Sequence, residues 1–587
     1  MNRILILWKK ASSEIAAFLL ILVFSIGVIL PLMVNHSWAE SHDGLRYMYM
    51  LEQFCDALAN GILYPRWLPD TYGGYGYPSF VFYQPGVFYV AALFRGITGD
   101  TLWAGYLTLT AFLFAGGSGM YLLAKRIRGE AAGLFCAFLF LLTPYIYVNM
   151  FIRGDISEAA AMLLTPWPFF FLLKLKEAFE ENRQAAPMSG LFAISTAAIT
   201  YCHPAVPLFL FPVLGLTALY LGYGKERKQA ILFTGATGGA FLLGIILSSP
   251  YWLTAMTMKR YVNYQSVISG YFSPDMHLVS VPELFSRFWG HGGSHIGEGM
   301  SFQLGLPHFL LALAGTVFCW KMKVVRISFI LYILLIICML PISAFLWTKV
   351  PFLNFVQFPW RILAVIAVLQ CICATGIVDP VGKIKRRYLS AAVYVGILCV
   401  CSLWYVEQFK IVTVAGNAAD KLKEHRKKRL NEFYVYASGN EFIPLTAQRG
   451  IDMPLGTRPR LQISERDCRI APAEGNTAFH IQYLLETSSP TTVLINQLYF
   501  PGWQILVNGE NAVSPDVNWK LLPDGRGCFT LLPGKKYFIW AEYEGPPGWR
   551  MRNFVIGLAV IAYLVIFYLE YKRKGLYGKS VPDNPVL

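Results

Sequence analysis

Residues 14–34 read EIAAFLLILVFSIGVILPLMV and decide the class of the fold. Glu14 is the only charged residue in the run. A helix of about 20 apolar residues is long enough to cross the ~30 Å hydrocarbon core of a bilayer. The run is long for a signal peptide, and no convincing cleavage site follows it. We therefore predict an uncleaved, membrane-spanning anchor helix.

Similar apolar runs recur along the chain. Of its 587 residues, 55% are hydrophobic and 14% are charged, and the mean hydropathy is +0.46. A soluble protein of this length would carry more charge. We predict a multi-pass α-helical membrane protein with about twelve transmembrane helices. His203-Pro204 divides residues 188–222, which form two spans or one kinked or re-entrant helix. The runs lie at 14–34, 102–124, 129–148, 157–175, 188–201, 204–222, 229–249, 302–320, 327–347, 360–378, 388–405 and 550–571.

Lysines and arginines cluster between these runs. Such clusters mark the cytoplasmic side of a membrane protein. With alternating helices all the clusters fall on one side, so both termini are predicted to be cytoplasmic. The formal net charge of +15 reflects this bias and does not indicate nucleic-acid binding. Residues 80–96 would break the alternation if they crossed, and are predicted to lie in the outer interface. The clusters are Lys9/Lys10, Lys125/Arg126/Arg128, Lys174/Lys176, Lys225/Arg227/Lys228, Lys321/Lys323/Arg326, Lys383/Lys385/Arg386/Arg387 and Lys572/Arg573/Lys574.

Residues 406–548 are polar and contain strand-like runs. The turn pairs Asn508-Gly509 and Pro533-Gly534 separate alternating segments, which is typical of antiparallel hairpins. We predict a small antiparallel β-sandwich outside the membrane, with no catalytic groups. Residues 417–431 have helical charge spacing and are predicted to be a solvated connector. The strand-like runs are Phe479–Leu485, Thr492–Leu498, Trp503–Val507, Cys528–Leu532 and Tyr537–Tyr543.

The chain therefore divides into three predicted parts. Residues 1–405 form the transmembrane domain, and residues 406–548 form the extracytoplasmic β domain. Residues 549–587 form the last transmembrane helix and a cytoplasmic tail. The outer loops of the first part are 36–101, 149–156, 250–301 and 348–359.

The first outer loop contrasts with the apolar runs around it. Residues 41–85 read SHDGLRYMYMLEQFCDALANGILYPRWLPDTYGGYGYPSFVFYQP and combine carboxylates, arginines, aromatic residues and glycines. Asp43 follows the first helix closely, so its carboxylate lies near the bilayer surface. There it could accept a proton from a hydroxyl or hold a divalent cation. The alternative is that Asp43 caps the helix that follows it.

The second outer loop offers matching groups. Residues 149–158 read NMFIRGDISE and place Arg153, Asp155 and Glu158 between two apolar runs. Charged residues at a membrane-embedded helix end are costly and are often functional. Asp155 and Glu158 share one face of a helix start. The alternative is a capping box formed by these two residues.

Arg361 ends the motif QFPWR (357–361) at the mouth of a predicted span. A guanidinium at headgroup depth suits bidentate binding of a phosphate. The alternative is a side chain that extends to the interface beside Trp360.

The signals for thiol chemistry and metal binding are weak. Most of the 11 cysteines lie within predicted helices as small apolar residues, and no CxxC pair occurs. A Cys468–Cys528 disulfide could form in an oxidising compartment. His291 and His295 lie in a glycine-rich loop, where surface histidines are expected more than a metal site.

Together these segments resemble a known family. The chain is similar to the bacterial 6-pyruvoyl-tetrahydropterin synthase-related membrane proteins, over essentially its whole length, and to the glycosyltransferase type C (GT-C) architecture. The soluble synthase binds zinc through three histidines, and no matching segment occurs here. The motifs are HDGLRY (42–47), YPRWLPDTYGGYGYPSFVFYQPGVFY (64–89), RGDISEA (153–159), SFQLGLPH (301–308), QFPWR (357–361) and FPGWQILVNGE (500–510).

The resemblance implies sugar transfer from a polyprenyl-phosphate donor at the outer face of the bacterial cytoplasmic membrane. It implies catalytic roles for Asp43, Asp155 and Glu158, with phosphate binding by Arg361 and Arg153. The first loop has a lone Asp43 rather than paired carboxylates, which leaves metal dependence open; a divalent cation, if present, would bind Asp43 and Asp155. The substrate-binding candidates are His42, Arg46, Arg66, Trp67 and Tyr83. The acceptor, whether glycan, lipid or protein, is not indicated.

Two other classes of function remain open. About twelve spans with cytoplasmic termini also suit a lipid or polysaccharide transporter or flippase. Such proteins place ionisable residues mid-membrane and have two related halves, neither of which is seen here. The other alternative is a non-catalytic cell-envelope assembly protein on the same fold, which the absent acidic pair favours.

Overall fold

The computed structural model describes residues 2–290, 299–384, 386–406, 420, 424, 442–447, 451, 455–464, 468–513 and 519–578. The predictions for residues 417–431, His291 and His295 lie almost wholly outside these residues. The helices are α1 (Asn2–Val34), α2 (Gly44–Ala59), α3 (Ser79–Phe82), α4 (Gly86–Thr98), α5 (Thr101–Arg128), α6 (Glu130–Leu141), α7 (Pro144–Tyr147), α8 (Ile156–Leu164), α9 (Pro166–Glu180), α10 (Ala186–Cys202), α11 (Ala205–Gly222), α12 (Arg227–Met258), α13 (Val281–Phe285), α14 (Leu306–Cys319), α15 (Lys323–Met339), α16 (Ala344–Lys349), α17 (Leu363–Ala374), α18 (Val378–Gly382), α19 (Arg387–Trp404) and α20 (Trp549–Gly578).

The multi-pass helical class predicted from the sequence is confirmed. Among the described residues, seven helical segments are long and apolar enough to cross a bilayer. Two bent pairs, α6 with the helical segment that follows it (44°) and α15 with α16 (83°), bring the number to nine. The remaining predicted runs fall on α10, α14 and α19, whose apolar parts are shorter. The count of twelve therefore stays a prediction.

Charged side chains join the helices at one end of the bundle. Lys125 near the end of α5 pairs with Glu14 of α1 at 2.7 Å, and Lys225 before α12 pairs with Glu180 of α9. The basic clusters of several predicted cytoplasmic loops thus lie together. Further pairs at this end are Lys125–Glu130, Arg126–Glu177 and Arg128–Asp379.

Glycines bring α5 close to the helices around it. A Cβ on Gly116 would lie 2.8 Å from a methyl carbon of Leu163 in α8, and one on Gly119 would lie 2.8 Å from the indole nitrogen of Trp167 in α9. Small residues of this kind allow close helix packing within a membrane. They fix α8, whose N-terminus carries the second outer loop, against the centre of the bundle.

The β region consists of two antiparallel sheets. One has the order β1-β4-β8-β7 and the other β2-β3-β9-β5-β6. The inner faces of both sheets share one apolar core, which includes Val493, Phe529, Ile481 and Ile539. The strands are β1 (Leu461–Ile463), β2 (Cys468–Pro472), β3 (His480–Thr487), β4 (Thr491–Leu498), β5 (Trp503–Val507), β6 (Glu510–Asn511), β7 (Lys520–Leu521), β8 (Arg526–Leu531) and β9 (Lys535–Tyr543).

The predicted turn pair Asn508-Gly509 does form a turn in the β region. Asn508 (φ +52°) and Gly509 (φ +88°) both adopt left-handed backbone conformations between β5 and β6. Two such residues form the tight hairpin turn that an Asn-Gly pair favours. Cys468 in β2 and Cys528 in β8 belong to different sheets, and both are free thiols.

Residues 66–77 of the first outer loop pack against the β region. The indole nitrogen of Trp67 donates to Gln497 Oε1 at 2.8 Å, and the backbone nitrogen of Leu498 donates to the carbonyl of Tyr75 at 2.7 Å. The contact is close, because a Cβ on Gly76 would lie 2.3 Å from Gln497 Oε1. Arg460 also contacts Pro69, Asp70 and Gly74.

Candidate active site

Backbone hydrogen bonds join the first and second outer loops. The nitrogen of His42 donates to the carbonyl of Ile152, and the nitrogen of Asp43 donates to the carbonyl of Arg153, each at 2.9 Å. Backbone groups away from water need such partners. The two loops that carry the candidate acidic residues are thereby held side by side.

An irregular segment of backbone places the second loop. Val148–Arg153 form a π-helix, and Gly154 follows it in a left-handed conformation (φ +68°). Single turns of π-helix are frequent at functional sites. A Cβ on Gly154 would lie 2.4 Å from the backbone nitrogen of Gly44 and 2.5 Å from Ser41 Oγ. Only glycine therefore allows both the conformation and the contact.

Replacing Gly154 by alanine is expected to lower activity by about 100-fold, because a shift of roughly 1 Å between the loops misplaces Asp43. The left-handed backbone itself costs about 1–2 kcal/mol for alanine. The control is Gly61→Ala, since Gly61 has φ +82° but open space around it. Thermal unfolding and activity of both variants distinguish the effect of backbone strain, which both share, from the effect of the steric clash at Gly154. Equal rates for the two variants would refute the positional role of Gly154.

Glu158 lies at the centre of a buried charge network. Its side chain is 0% exposed. Its Oε2 accepts from Arg153 Nη1 at 2.8 Å and from Arg361 Nε at 2.9 Å, and its Oε1 accepts from the hydroxyl of Tyr145. Arg153 Nη2 also pairs with Asp155 Oδ2 at 3.0 Å. A buried carboxylate is tolerated when it is paired and fully hydrogen-bonded, as here.

Asp155 has a second contact as a helix cap. Its Oδ1 accepts from the backbone nitrogen of Glu158 at 2.9 Å, at the start of α8. The capping alternative given for Asp155 in the sequence therefore holds for this one hydrogen bond. The side chain of Glu158 contacts the arginines, so a reciprocal capping box is not formed among these groups.

Asp43 occupies the position before α2, but its side chain makes no capping hydrogen bond. The carboxylate is 52% exposed to the cavity and lies 3.9 Å from the nearest guanidinium nitrogen of Arg46. The surrounding protein disfavours the charged form and raises the pKa of Asp43 above its usual range, while Arg46 opposes this shift. Asp43 is thus available to accept a proton.

Asp43, Arg46, Arg153 and Asp155 line a cavity of about 820 Å³ that has two unlike sides. The apolar side is formed by α11, α12 and residues 351–358. Leu208 and Met256 on it are 39% and 47% exposed. The polar side includes His42, Asp43, Arg46, Tyr83, Gln84, Arg153, Asp155, His203 and Arg361. The apolar side includes Leu208, Phe211, Ile245, Trp252, Met256, Phe352 and Phe355.

His203 is a site residue that the sequence did not indicate as functional. It is 5% exposed, and its Nε2 lies 3.8 Å from Asp155 Oδ2 and 3.7 Å from Glu158 Oε2. Its Nδ1 is buried without a hydrogen-bond partner among the described residues. The available signal was a polar residue before Pro204 in an apolar run, which was interpreted as a break between helices.

Three of these groups are close enough to be considered for a metal ion. One ligand atom from each of Asp155, Glu158 and His203 lies within 4.8 Å of the others. The fit is poor, because Glu158 Oε2 already accepts from Arg153 and Arg361. A dication would lie beside two guanidinium groups and repel both. Of the predicted metal pair, Asp155 belongs to this group and Asp43 does not.

Arg66 and Trp67, two of the predicted substrate-binding residues, do not line the cavity. Arg66 is 5% exposed and lies 3.9 Å above the ring of Tyr64. Trp67 packs into the core of the β region. Trp67 connects the first outer loop to the β region, and the guanidinium of Arg66 also lies 5.9 Å from the ring of Trp549 at the start of α20. His42, Arg46 and Tyr83 do line the cavity.

Arg361 donates to the same oxygen of Glu158, Oε2, as Arg153 does. Its Nη1 donates to the carbonyl of Val356 at 2.8 Å and to Gln357 Oε1 at 3.0 Å. These bonds and the bond from Nε leave Nη2 without a hydrogen-bond partner among the described residues. Asp43, Asp155 and Arg361 thus line one cavity.

Comparison with known proteins gives a family match. The profile of a family described as "6-pyruvoyl-tetrahydropterin synthase related domain; membrane protein" matches residues 80–409. No curated protein matches the chain.

Among solved structures, the chain is similar to the oligosaccharyltransferase of Archaeoglobus fulgidus in its apo form, with a TM-score of 0.45 and 13% identity over 73% of this chain and 61% of that one. The archaeal oligosaccharyltransferase AglB from Archaeoglobus fulgidus in complex with an inhibitory peptide and a dolichol-phosphate gives 0.42 and 14%, over 74% and 61%. The arabinofuranosyltransferase AftD from Mycobacteria gives 0.42 and 13%, over 70% and 29%. The chain therefore spans less than two thirds of each.

Proposed function

Because this chain belongs to the 6-pyruvoyl-tetrahydropterin synthase related family of membrane proteins, as its motifs predict, we propose that it acts on a substrate held in the membrane. The proposed function is transfer of a sugar from a polyprenyl-phosphate donor to an acceptor hydroxyl. One observation carries it. Asp43, whose carboxylate makes no helix-capping bond and lies 3.9 Å from Arg46, shares a cavity with guanidinium groups, and the opposite side of that cavity is apolar.

The polar side supplies the groups that a direct displacement needs. Asp43 accepts the proton of the acceptor hydroxyl, and the acceptor oxygen attacks the anomeric carbon of the sugar. The bond from that carbon to the phosphate oxygen breaks, and its electron pair leaves with the polyprenyl phosphate. The proton remains on Asp43, so the products are the glycoside and the lipid phosphate, with inversion at the reacting carbon.

The arginines stabilise the leaving phosphate. Arg361 has one nitrogen, Nη2, available for it, and Glu158 fixes the plane of the guanidinium through Nε. Arg153 is held by the same carboxylate and by Asp155. Cationic groups held in place before the reaction cost little reorganisation during it. In this proposal Asp155 and Glu158 are positioning residues. The guanidinium groups stabilise the negative charge of the leaving phosphate, as a divalent cation would.

We place the reaction at the outer face of the cytoplasmic membrane. The clustered lysines and arginines lie at the end of α5 and just before α12, and residues toward the other end of α12, from Ile245 to Met256, line the cavity. With the basic end cytoplasmic, the termini lie inside. The β region of residues 406–548 then lies outside, tethered by the helices of residues 1–405 and 549–587.

The test uses the full chain in liposomes with a panel of polyprenyl-phosphate sugars labelled in the sugar. We expect release of unglycosylated polyprenyl phosphate and appearance of label in a water-soluble or lipid acceptor, both resistant to a chelator. Chromatography of the lipid fraction measures the first product. Movement of intact donor across the bilayer with no cleavage of its sugar bond would overturn the proposal and identify a flippase.

A further inference from the structure

Lys259 is a cavity cation with unusual surroundings. It follows the last residue of α12 and lines the cavity. Its ammonium lies 5.2 Å from the ring centre of Tyr264 and 5.1 Å from that of Phe355. Among the described residues no carboxylate lies within ion-pair distance of it. Aromatic faces attract an ammonium but do not neutralise its charge.

The other cations of the cavity have acidic neighbours. Arg153 and Arg361 pair with Glu158, and Arg46 lies 3.9 Å from Asp43. The described cations around the cavity are Arg46, Arg153, Lys259 and Arg361, and the carboxylates are Asp43, Asp155 and Glu158. Glu158 is fully buried behind the lining but pairs with Arg153 and Arg361, so four positive groups are accompanied by three negative ones. Lys259 supplies the excess, which matches an anion of about one negative charge.

The neighbours of Lys259 belong to both the apolar and the polar side of the cavity. Its partner ring, Phe355, belongs to the apolar side of the cavity, and the next residue, Val356, accepts a hydrogen bond from Arg361 Nη1. Gln357 also bonds Arg361 and donates to the carbonyl of Val267 at 2.7 Å. One short segment therefore connects the unpaired lysine with the guanidinium that has an open nitrogen.

We propose that Lys259 binds the phosphate of a lipid that carries a single phosphate, with its apolar chain along α11 and α12. This inference rests on the proposed function and narrows its substrate. A sugar linked through one phosphate to a polyprenyl chain is a phosphodiester with one negative charge, whereas a diphosphate link carries more charge than Lys259 offsets. The ammonium of Lys259 lies beside Phe355 of the apolar side, so it is within reach of a phosphate whose lipid chain lies on that side.

Binding of labelled polyprenyl monophosphate to the full chain in nanodiscs tests the proposal. We expect Lys259→Gln to weaken binding by about 10- to 100-fold, as for loss of a charge-assisted hydrogen bond. Lys259→Arg should keep most of the affinity. Arg260→Gln is the matched control, because Arg260 lies next in sequence, stacks on Tyr261 and does not line the cavity.

Competing lipids separate the sources of the phosphate. Unlabelled polyprenyl monophosphate should displace the label, and polyprenyl diphosphate and phosphatidylglycerol should do so at least tenfold less well. Normal binding by Lys259→Gln, an equal loss in Arg260→Gln, or equal competition by phosphatidylglycerol would each overturn the assignment. Lysine-dependent binding with no sugar transfer would support it and refute the proposed function. Sugar transfer with a donor KM that is unchanged in Lys259→Gln would support the proposed function and refute the assignment of Lys259.

Discussion

Asp43→Asn lowers the rate of sugar transfer by about 10²- to 10⁴-fold, the usual contribution of a general base. The amide has the shape of the carboxylate but does not accept the acceptor proton. No capping bond is lost, since the side chain of Asp43 makes none. The measurement is single-turnover transfer in liposomes. Asp56→Asn is the control, because Asp56 is an exposed acid on the same helix and does not line the cavity.

The pH dependence follows from the raised pKa of Asp43. A base must be ionised, so the wild-type rate falls as the pH decreases through this pKa, beginning above the usual carboxyl range near ~3.9. The contribution of Asp43 to the free energy of unfolding changes with pH in the opposite direction to the rate: it decreases as the pH rises. An acid whose folded pKa is raised binds its proton more tightly in the folded state, so its ionised form costs stability at neutral pH. Asp43→Asn should therefore unfold at the same temperature or a higher one. Full activity in this variant would remove the proposed base.

Glu158→Ala destabilises the protein by about 3–5 kcal/mol, the usual cost of breaking a buried ion pair. The change leaves Arg153 and Arg361 side by side with no carboxylate at the centre of the network, where the side chain of Glu158 is fully buried. The measurement is thermal and denaturant unfolding of the purified chain in nanodiscs, with expression level as a second readout.

Two further variants test this explanation. Glu181→Ala removes an exposed partner of Arg183 and should cost less than about 1 kcal/mol, as for surface pairs. Combining Glu158→Ala with Arg361→Met should recover part of the lost stability, because one uncompensated charge is removed as well. Wild-type stability of Glu158→Ala, or no recovery in the double variant, would contradict a buried network centred on Glu158.

The fold was largely predictable because its signals are local. Long apolar runs identify the helices, and alternation with turn residues identifies the longer strands; β5 was predicted with the bounds that it has. The strands β1, β6 and β7 have only two or three residues, and β2, which is as long as β5, was not predicted either. Their pairing depends on neighbours distant in sequence, so no local pattern marks them.

The candidate site was predictable in part for the same reason. Charged residues next to apolar runs stood out, which identified Asp43, Arg153 and Arg361. Their partners depend on long-range contacts: Glu158 meets Arg361 across 203 positions, and Trp67 meets Gln497 across 430. Aromatic composition alone does not distinguish a sugar-binding wall from a packing surface. This is why Trp67 was assigned to substrate and is found in the core of the β region.

The first outer loop is attached at two places. Near its start it bonds to the backbone of Ile152 and Arg153, and further along, at residues 66–77, it packs against the β region. A segment fixed at both ends has lost most of its conformational entropy before any ligand arrives. Substrate binding then has little ordering left to oppose it, so affinity should depend weakly on loop dynamics and mainly on contacts with the substrate.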